Sequence, residues 1–261
     1  MGAVAASTLG VNVRTSSDTE PSANVFSGAI LGKVADLSFS ISSSHRIASK
    51  TNVPVTLSFK LSTLLPSGGK ITLNYPTSFF AVSTPTVPLG SSSVAGFTGT
   101  CAATTSTSVI ITTAGAAVPA SSFVVTLAGF VMGSATVDVV GVTIQTSEDT
   151  AVSAAVSSGS ISTQVSTVAF AINAADRIAL KASVHITLTF TPANPLPPGG
   201  TITLTYPAGF FVPLVTPSSI SASSSNVPNL VGSCGATAAT SVIITTAAAS
   251  IPAAAFVVTI R

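Results

Sequence analysis

Side-chain catalysis and metal binding need convergent titratable groups. This sequence has few: seven Asp and Glu, nine Lys and Arg, two His and two Cys in 261 residues. His45 and His185 stand alone, with no Asp or Glu cluster beside either, and read as surface histidines rather than as a base or a zinc ligand. Cys101 lies in Gly99-Thr100-Cys101-Ala102 and Cys234 in Gly232-Ser233-Cys234-Gly235. The second run resembles a nucleophile turn, but no His is near in sequence, so both cysteines read as packed thiols. Asp18 and Asp149 each sit in Thr-Ser-x-Asp-Thr, where an Asx-turn explains the pattern better than a calcium site that would gather several carboxylates. Arg46 and Arg177 read as partners for a carbonyl or an acid at a strand end. Gly68-Gly69 and Gly199-Gly200 precede strands rather than opening helices, which makes them turns and not phosphate loops. The expectation is a non-enzyme with no catalytic residue, no metal and no cofactor.

What remains is apolar and hydroxylic. Charged residues are 6% of the chain and mean hydropathy is +0.70, against a charged share of about 25% in ordinary soluble domains. Net charge is +2, too little for a basic patch that neutralises a row of phosphates, so nucleic acid is not an expected partner. No apolar run reaches the ~18 residues of a membrane helix. With no Trp and two Tyr, the aromatic girdles of a membrane barrel are missing as well, so membrane insertion is not expected. The first seven residues lack the basic and apolar regions of a signal peptide and the hydroxyl that a myristoylation motif requires. Ser and Thr carry the polar positions. A surface kept wet by hydroxyls, by sugar or by burial against neighbours points outside the cytoplasm.

The chain repeats itself. Arg46-Ile47 recurs as Arg177-Ile178, 131 residues on, and the register holds through Leu57/Leu188, Phe59/Phe190, Gly68-Gly69/Gly199-Gly200, Tyr75-Pro76/Tyr206-Pro207 and Phe79-Phe80/Phe210-Phe211. Beyond a two-residue insertion, Cys101/Cys234 and Phe123 to Thr126 against Phe256 to Thr259 match at 133. Met1-Gly2 falls on Met132-Gly133 and Asp18-Thr19 on Asp149-Thr150, so Met1 need not be an initiator. Two domains are expected, 1–131 and 132–261, in an array that can be longer.

Apolar residues alternate with small polar ones at the period of half-buried strands. Val53, Val55, Leu57, Phe59 and Leu61 would face a core, as would Ile71, Leu73 and Tyr75, then Phe123, Val125 and Leu127, with their counterparts in copy two. Clusters such as Pro66-Ser67-Gly68-Gly69 supply the turns. The fold class expected is all-β: two tandem antiparallel sandwiches of immunoglobulin-like or jelly-roll-like character, completed by strand exchange. The Thr rows 187, 189, 191 and 201, 203, 205 would lie on outward faces, where β-branched residues suit a strand.

The stretch Leu196-Pro197-Pro198-Gly199-Gly200-Thr201-Ile202-Thr203-Leu204-Thr205-Tyr206-Pro207-Ala208-Gly209-Phe210-Phe211, with its weaker copy from Leu65 to Phe80, resembles a repeat of large secreted surface proteins of microalgae and other protists, and of subunits of glycan-coated extracellular fibrils. The resemblance implies extracellular β-domains joined head to tail, with no catalytic residues to carry over.

Function at this level is expected to be structural: a subunit of an extracellular fibril or cell-surface coat, forming a homopolymer. An adhesin or carbohydrate-binding module is the alternative. After the strand near Leu127 comes an alternating segment, Val137, Val139, Val142 and Ile144, leading into copy two. Its counterpart is the segment from Ala3 to Thr15, with Val4, Leu9, Val11 and Val13. If that segment completes the domain before it, copy two presents an open edge that another chain's segment would fill. If it completes the domain after it, both domains are whole. No Asn starts an N-glycosylation sequon. Ser/Thr runs beside prolines suit O-linked sugar, with Ser91, Ser92, Ser93, Thr104, Thr105, Ser223 and Ser224 as candidates.

Overall fold

The computed structural model describes residues 4–212, 221–224, 227, 232–234, 240–246 and 250–260. Among these, every regular element is a β-strand except two single 3-10 turns at Ser43–His45 and Ala174–Asp176. The chain divides into two compact units, Met1–Ser162 and Thr163–Arg261.

Unit 1 begins with two short strands, β1 (Leu9–Val11) and β2 (Val25–Phe26), which among the described residues pair only with each other. Its body is two antiparallel sheets. One takes β3 (Ala35–Ser40), β4 (Val53–Lys60), β6 (Phe80–Ala81) and β9 (Ser122–Met132) in the order β3-β4-β9-β6. The other takes β5 (Lys70–Asn74), β7 (Phe97–Cys101), β8 (Ser108–Gly115), β10 (Val140–Thr146) and β11 (Val156–Ser157) in the order β11-β10-β5-β8-β7. The inner faces meet as the alternation requires: Val53, Val55, Leu57, Phe59, Ile71, Leu73, Phe123, Val125 and Leu127 are all buried. Phe123 makes edge contacts to Phe59 at 5.5 Å and to Phe97 at 5.0 Å between ring centroids. Such pairs favour one arrangement beyond what area burial gives. Tyr75 and Phe130 close on Phe80 at 5.0 and 4.5 Å.

Unit 2 contains β12 (Ser166–Ile172), β13 (Ile186–Thr191), β14 (Thr201–Thr205), β15 (Ser221–Ser224), β16 (Gly232–Cys234), β17 (Ser241–Thr246) and β18 (Phe256–Ile260). They form one antiparallel sheet ordered β12-β13-β18-β15-β16-β17-β14. Backbone detail repeats even where residue type does not. Asp36 and Thr167, equivalent by the repeat, hold φ +53° and +50° at the same interruption of the first ladder. Gly68 and Gly199 take φ +84° and +80° in the equivalent turns, a conformation that glycine adopts without steric cost.

Sequence period and folded body are out of phase. The repeat counts 1–131 and 132–261, whereas unit 1 runs to Ser162. The physical reason is that β10, which belongs to the second sequence copy, hydrogen-bonds onto β5 of the first and carries its hairpin partner β11 with it. Among the described residues no helix is long and apolar enough to cross a membrane.

Candidate assembly site

The strand that makes the body overrun the repeat is held in three ways. First, β10 pairs with β5 through Thr143–Asn74, Ile144–Leu73, Gln145–Thr72 and Thr146–Ile71. Val142 and Ile144 are fully buried there, beside Ile71 and Leu73. β10 and β11 also lie against β3, whose Leu37 and Phe39 are half-buried. Burying a Val or Ile side chain contributes about 1.5–3 kcal/mol, so this strand is a core element.

Second, a turn after β10 delivers a carboxylate. Thr146 N–H donates to the Asp149 carbonyl (3.0 Å) and Asp149 N–H to Thr146 Oγ1 (2.8 Å). This turn carries the buried Asp149 side chain to the β4–β5 loop, where Oδ2 accepts from the amides of Ser62 (2.7 Å) and Thr63 (3.2 Å). Gly32 makes room, because a Cβ there would overlap Asp149 Oδ1.

Third, Arg46 spans the hairpin's end. Its Nε donates to the Ile41 carbonyl (3.1 Å) and its Nη1 to the Ser158 carbonyl. A Cβ at Gly159 would overlap the guanidinium, so the positive-φ glycine is also a steric requirement. Burial lowers the Arg46 pKa, an effect that the charge of Asp138 opposes. The Asp138 carboxyl is in turn held below its ordinary range, first by the Ser157 hydroxyl and then by the Gly159 amide.

The N-terminal segment repeats this hairpin bond for bond. Leu9–Phe26 and Val11–Val25 reproduce Val140–Ser157 and Val142–Val156, and the Ala5–Ile30 bridge reproduces Thr136–Ile161. Ser22 N–H meets the Val13 carbonyl at 2.9 Å, as Ser153 meets Ile144. Thr15 and Asp18 form the same turn as Thr146 and Asp149. Here, however, no further sheet receives it among the described residues: Val11 is 45% and Val13 68% exposed.

Unit 2 shows the converse. Besides its hairpin partner β11, β10 lies against β5 in its own sheet and β3 in the other; their counterparts β14 and β12 are the two edges of the unit 2 sheet. Ile202 and Leu204 are half-buried where Ile71 and Leu73 are fully buried, and Val168 and Phe170 on β12 are 63% and 38% exposed. Arg177 holds the Ile172 carbonyl through Nε at 3.2 Å, as Arg46 holds Ile41, and is itself exposed.

Of the residues expected in the donor strand, Val11 and Val13 take the positions of Val142 and Ile144. Leu9 does not. It matches Val140, which faces outward in the filled unit, and Val4 matches exposed Ala135. In the inter-domain segment the correction is similar: Val137 and Val139 precede β10 and are exposed, because the inward phase of the strand falls on Val142, Ile144 and Thr146. Arg46 has carbonyls at strand ends as its partners, as the sequence suggested, but which ones was not legible; Asp149 is corrected, because its carboxylate makes no Asx-turn and instead reaches Ser62 and Thr63, which only the fold brings to it. The signal of Arg46 and Asp149 in the sequence is recurrence at the repeat spacing.

Among the hydroxyl candidates, Thr104 is corrected. It is buried, donating to the Ala81 carbonyl and accepting from the Ser83 amide, both at 2.8 Å, so it cannot carry sugar in the folded unit. Ser93 and Thr105 are exposed, while Ser91 and Ser92 are half-buried. Ser224 accepts from Val227 N–H, and for Ser223 the side chain lies outside the described residues, as do Ser218, Ser219 and Ser225. Cys101 is a half-buried free thiol whose pKa burial raises to about 11; the Cys234 side chain lies outside the described residues. His185 is exposed and His45 half-buried, its Nδ1 without a partner among the described residues. No group of three or more His, Cys, Asp or Glu is placed to hold a metal ion among them.

Comparison with protein-family models and with curated proteins gives no match.

Proposed function

We propose that this protein is a structural subunit of an extracellular fibril or surface coat, and that copies join head to tail by insertion of the N-terminal hairpin into unit 2. The observation that carries this reading is the pairing of one filled and one unfilled version of the same joint. β10 lies on β5 with its apolar face buried. The matching hairpin of residues 4–31 is built in the same register with that face open, and the matching edge β14 has no second neighbour among the described residues.

An unpaired, apolar-rich edge is a liability that proteins cover. Strand addition covers it, with main-chain bonds giving affinity and alternate side chains giving register. Donor and acceptor are different surfaces of one chain, so the contact is heterologous and builds an open filament. Composition supports the extracellular setting: with charge at 6% of residues, hydroxyls and O-linked glycans on exposed Ser and Thr are left to keep the fibre wet.

The test is the purified 261-residue chain with and without residues 1–31. Filaments by negative stain from the whole chain, and monomers of unchanged β-content from the truncated one, are the expected result. Equal assembly of both, or none by either, overturns the reading.

A further inference from the structure

The three holds on β10 do not all transfer to unit 2. Asp18 would reach the backbone amides of Ala193 and Asn194, which are exposed and make no hydrogen bond among the described residues. But Thr163 stands where unit 1 has Gly32, at the place where a Cβ would overlap the carboxylate. The arginine hold meets no such obstacle. Arg177, Ser27 and Gly28 have the identities of Arg46, Ser158 and Gly159. Gly28 has φ +77° against +71° for Gly159, and its amide is held by Ser7 Oγ (3.1 Å) as that of Gly159 is by Asp138 Oδ1 (2.7 Å). The Arg177 side chain is already anchored at Nε on Ile172. A Cβ at Gly28 would meet nothing in the free hairpin, whereas a Cβ at Gly159 would overlap Arg46.

We propose that Arg177 is the specificity-determining residue of the joint: in a second copy of this chain it donates to the Ser27 carbonyl across Gly28, and so selects a hairpin with glycine at that position. The inference rests on the strand-insertion reading. A planar guanidinium bonds two carbonyls at once, Ile172 through Nε and Ser27 through Nη1, while a lysine ammonium on a flexible stem does not reproduce that fork. Ser7 replaces Asp138, so this joint lacks the carboxylate whose charge acts on Arg46, and the arginine holds the hairpin by hydrogen bonds to carbonyls alone.

The test measures the critical concentration for assembly of the full chain in four forms: wild type, Arg177→Ala, Gly28→Ala and the double variant, with Arg177→Lys beside them. Loss of a hydrogen bond from a charged donor corresponds to a rise of about ten- to a hundredfold. Arg177→Ala and Arg177→Lys should both show it, with unchanged monomer melting. Gly28→Ala carries positive-φ strain in either background, so the comparison cancels that cost. Its penalty should be large with Arg177 present and mostly gone in Arg177→Ala. If wild type assembles, and Arg177→Ala shifts the critical concentration less than about twofold or the Gly28→Ala penalty is equal in both backgrounds, the arginine proposal fails and strand insertion stands. If wild type does not assemble, the underlying reading itself fails.

Discussion

Val142 and Val11 occupy the same position in two hairpins of the same register, yet one is fully buried and the other 45% exposed. The difference is the presence of β5 beside the first. Val142→Asp should therefore unfold unit 1, since it places an unpaired charge in the core. Val11→Asp should leave the melting of the monomer unchanged while abolishing filaments. Circular dichroism melts together with sedimentation check both outcomes.

Asp149 and Asp18 make a second such contrast. Asp149→Ala leaves the Ser62 and Thr63 amides without an acceptor in a part-buried loop, at a cost of about 1–3 kcal/mol for each group left unsatisfied. Asp18→Ala, on an exposed turn, should be neutral for monomer stability by urea denaturation.

Core packing is expected to dominate stability. Phe59 is buried against Phe123, and Phe190 against Phe256 at 5.3 Å. Truncation of either to Ala should cost about 3–5 kcal/mol. Lys50→Ala should cost almost nothing, and Lys181→Ala, which removes the exposed pair with Asp176 at 2.8 Å, at most about 1 kcal/mol. Melts that moved strongly with salt would contradict this ranking.

Alkaline pH should weaken unit 1. Burial raises Cys101 from 9.0 to about 11 and lifts Tyr75 above its ordinary 10.0. The folded form therefore keeps protons that the unfolded chain releases first. Stability is full below pH 9, falls between pH 9 and 11 as the contribution of Cys101 is lost, and goes on falling above that range with the contribution of Tyr75. Cys101→Ala should flatten that part of the profile, measured as melting temperature against pH.

Sugar sites should follow exposure. Peptide mapping of native material should find hexose on Ser93 or on Thr105 to Thr107 and none on Thr104, whose hydroxyl is enclosed by the Ala81 and Ser83 backbone.

The all-β class, the strands and the core were legible in the sequence because side chains of a strand alternate between faces. Val53, Val55, Leu57 and Phe59 had to share one side, and they do. The repeat was legible because Arg46, Gly68 and Tyr75 recur at a fixed spacing. Alternation says that a strand has an inner face, but it does not say which sheet receives it. Val142 and Ile144 could have completed the domain on either side of them, and pairing between strands distant in sequence decided it. The roles of Asp149 and Arg46 depended on that outcome, since the amides and the carbonyl they bind are supplied by segments 86, 87 and 112 residues away. The sequence by itself determined that this chain is a repeated, nearly uncharged β-protein. Only the tertiary structure decided that the first repeat is completed by the hairpin that follows it, because hydrogen bonds and buried faces, rather than the sequence period, mark where a folded unit ends.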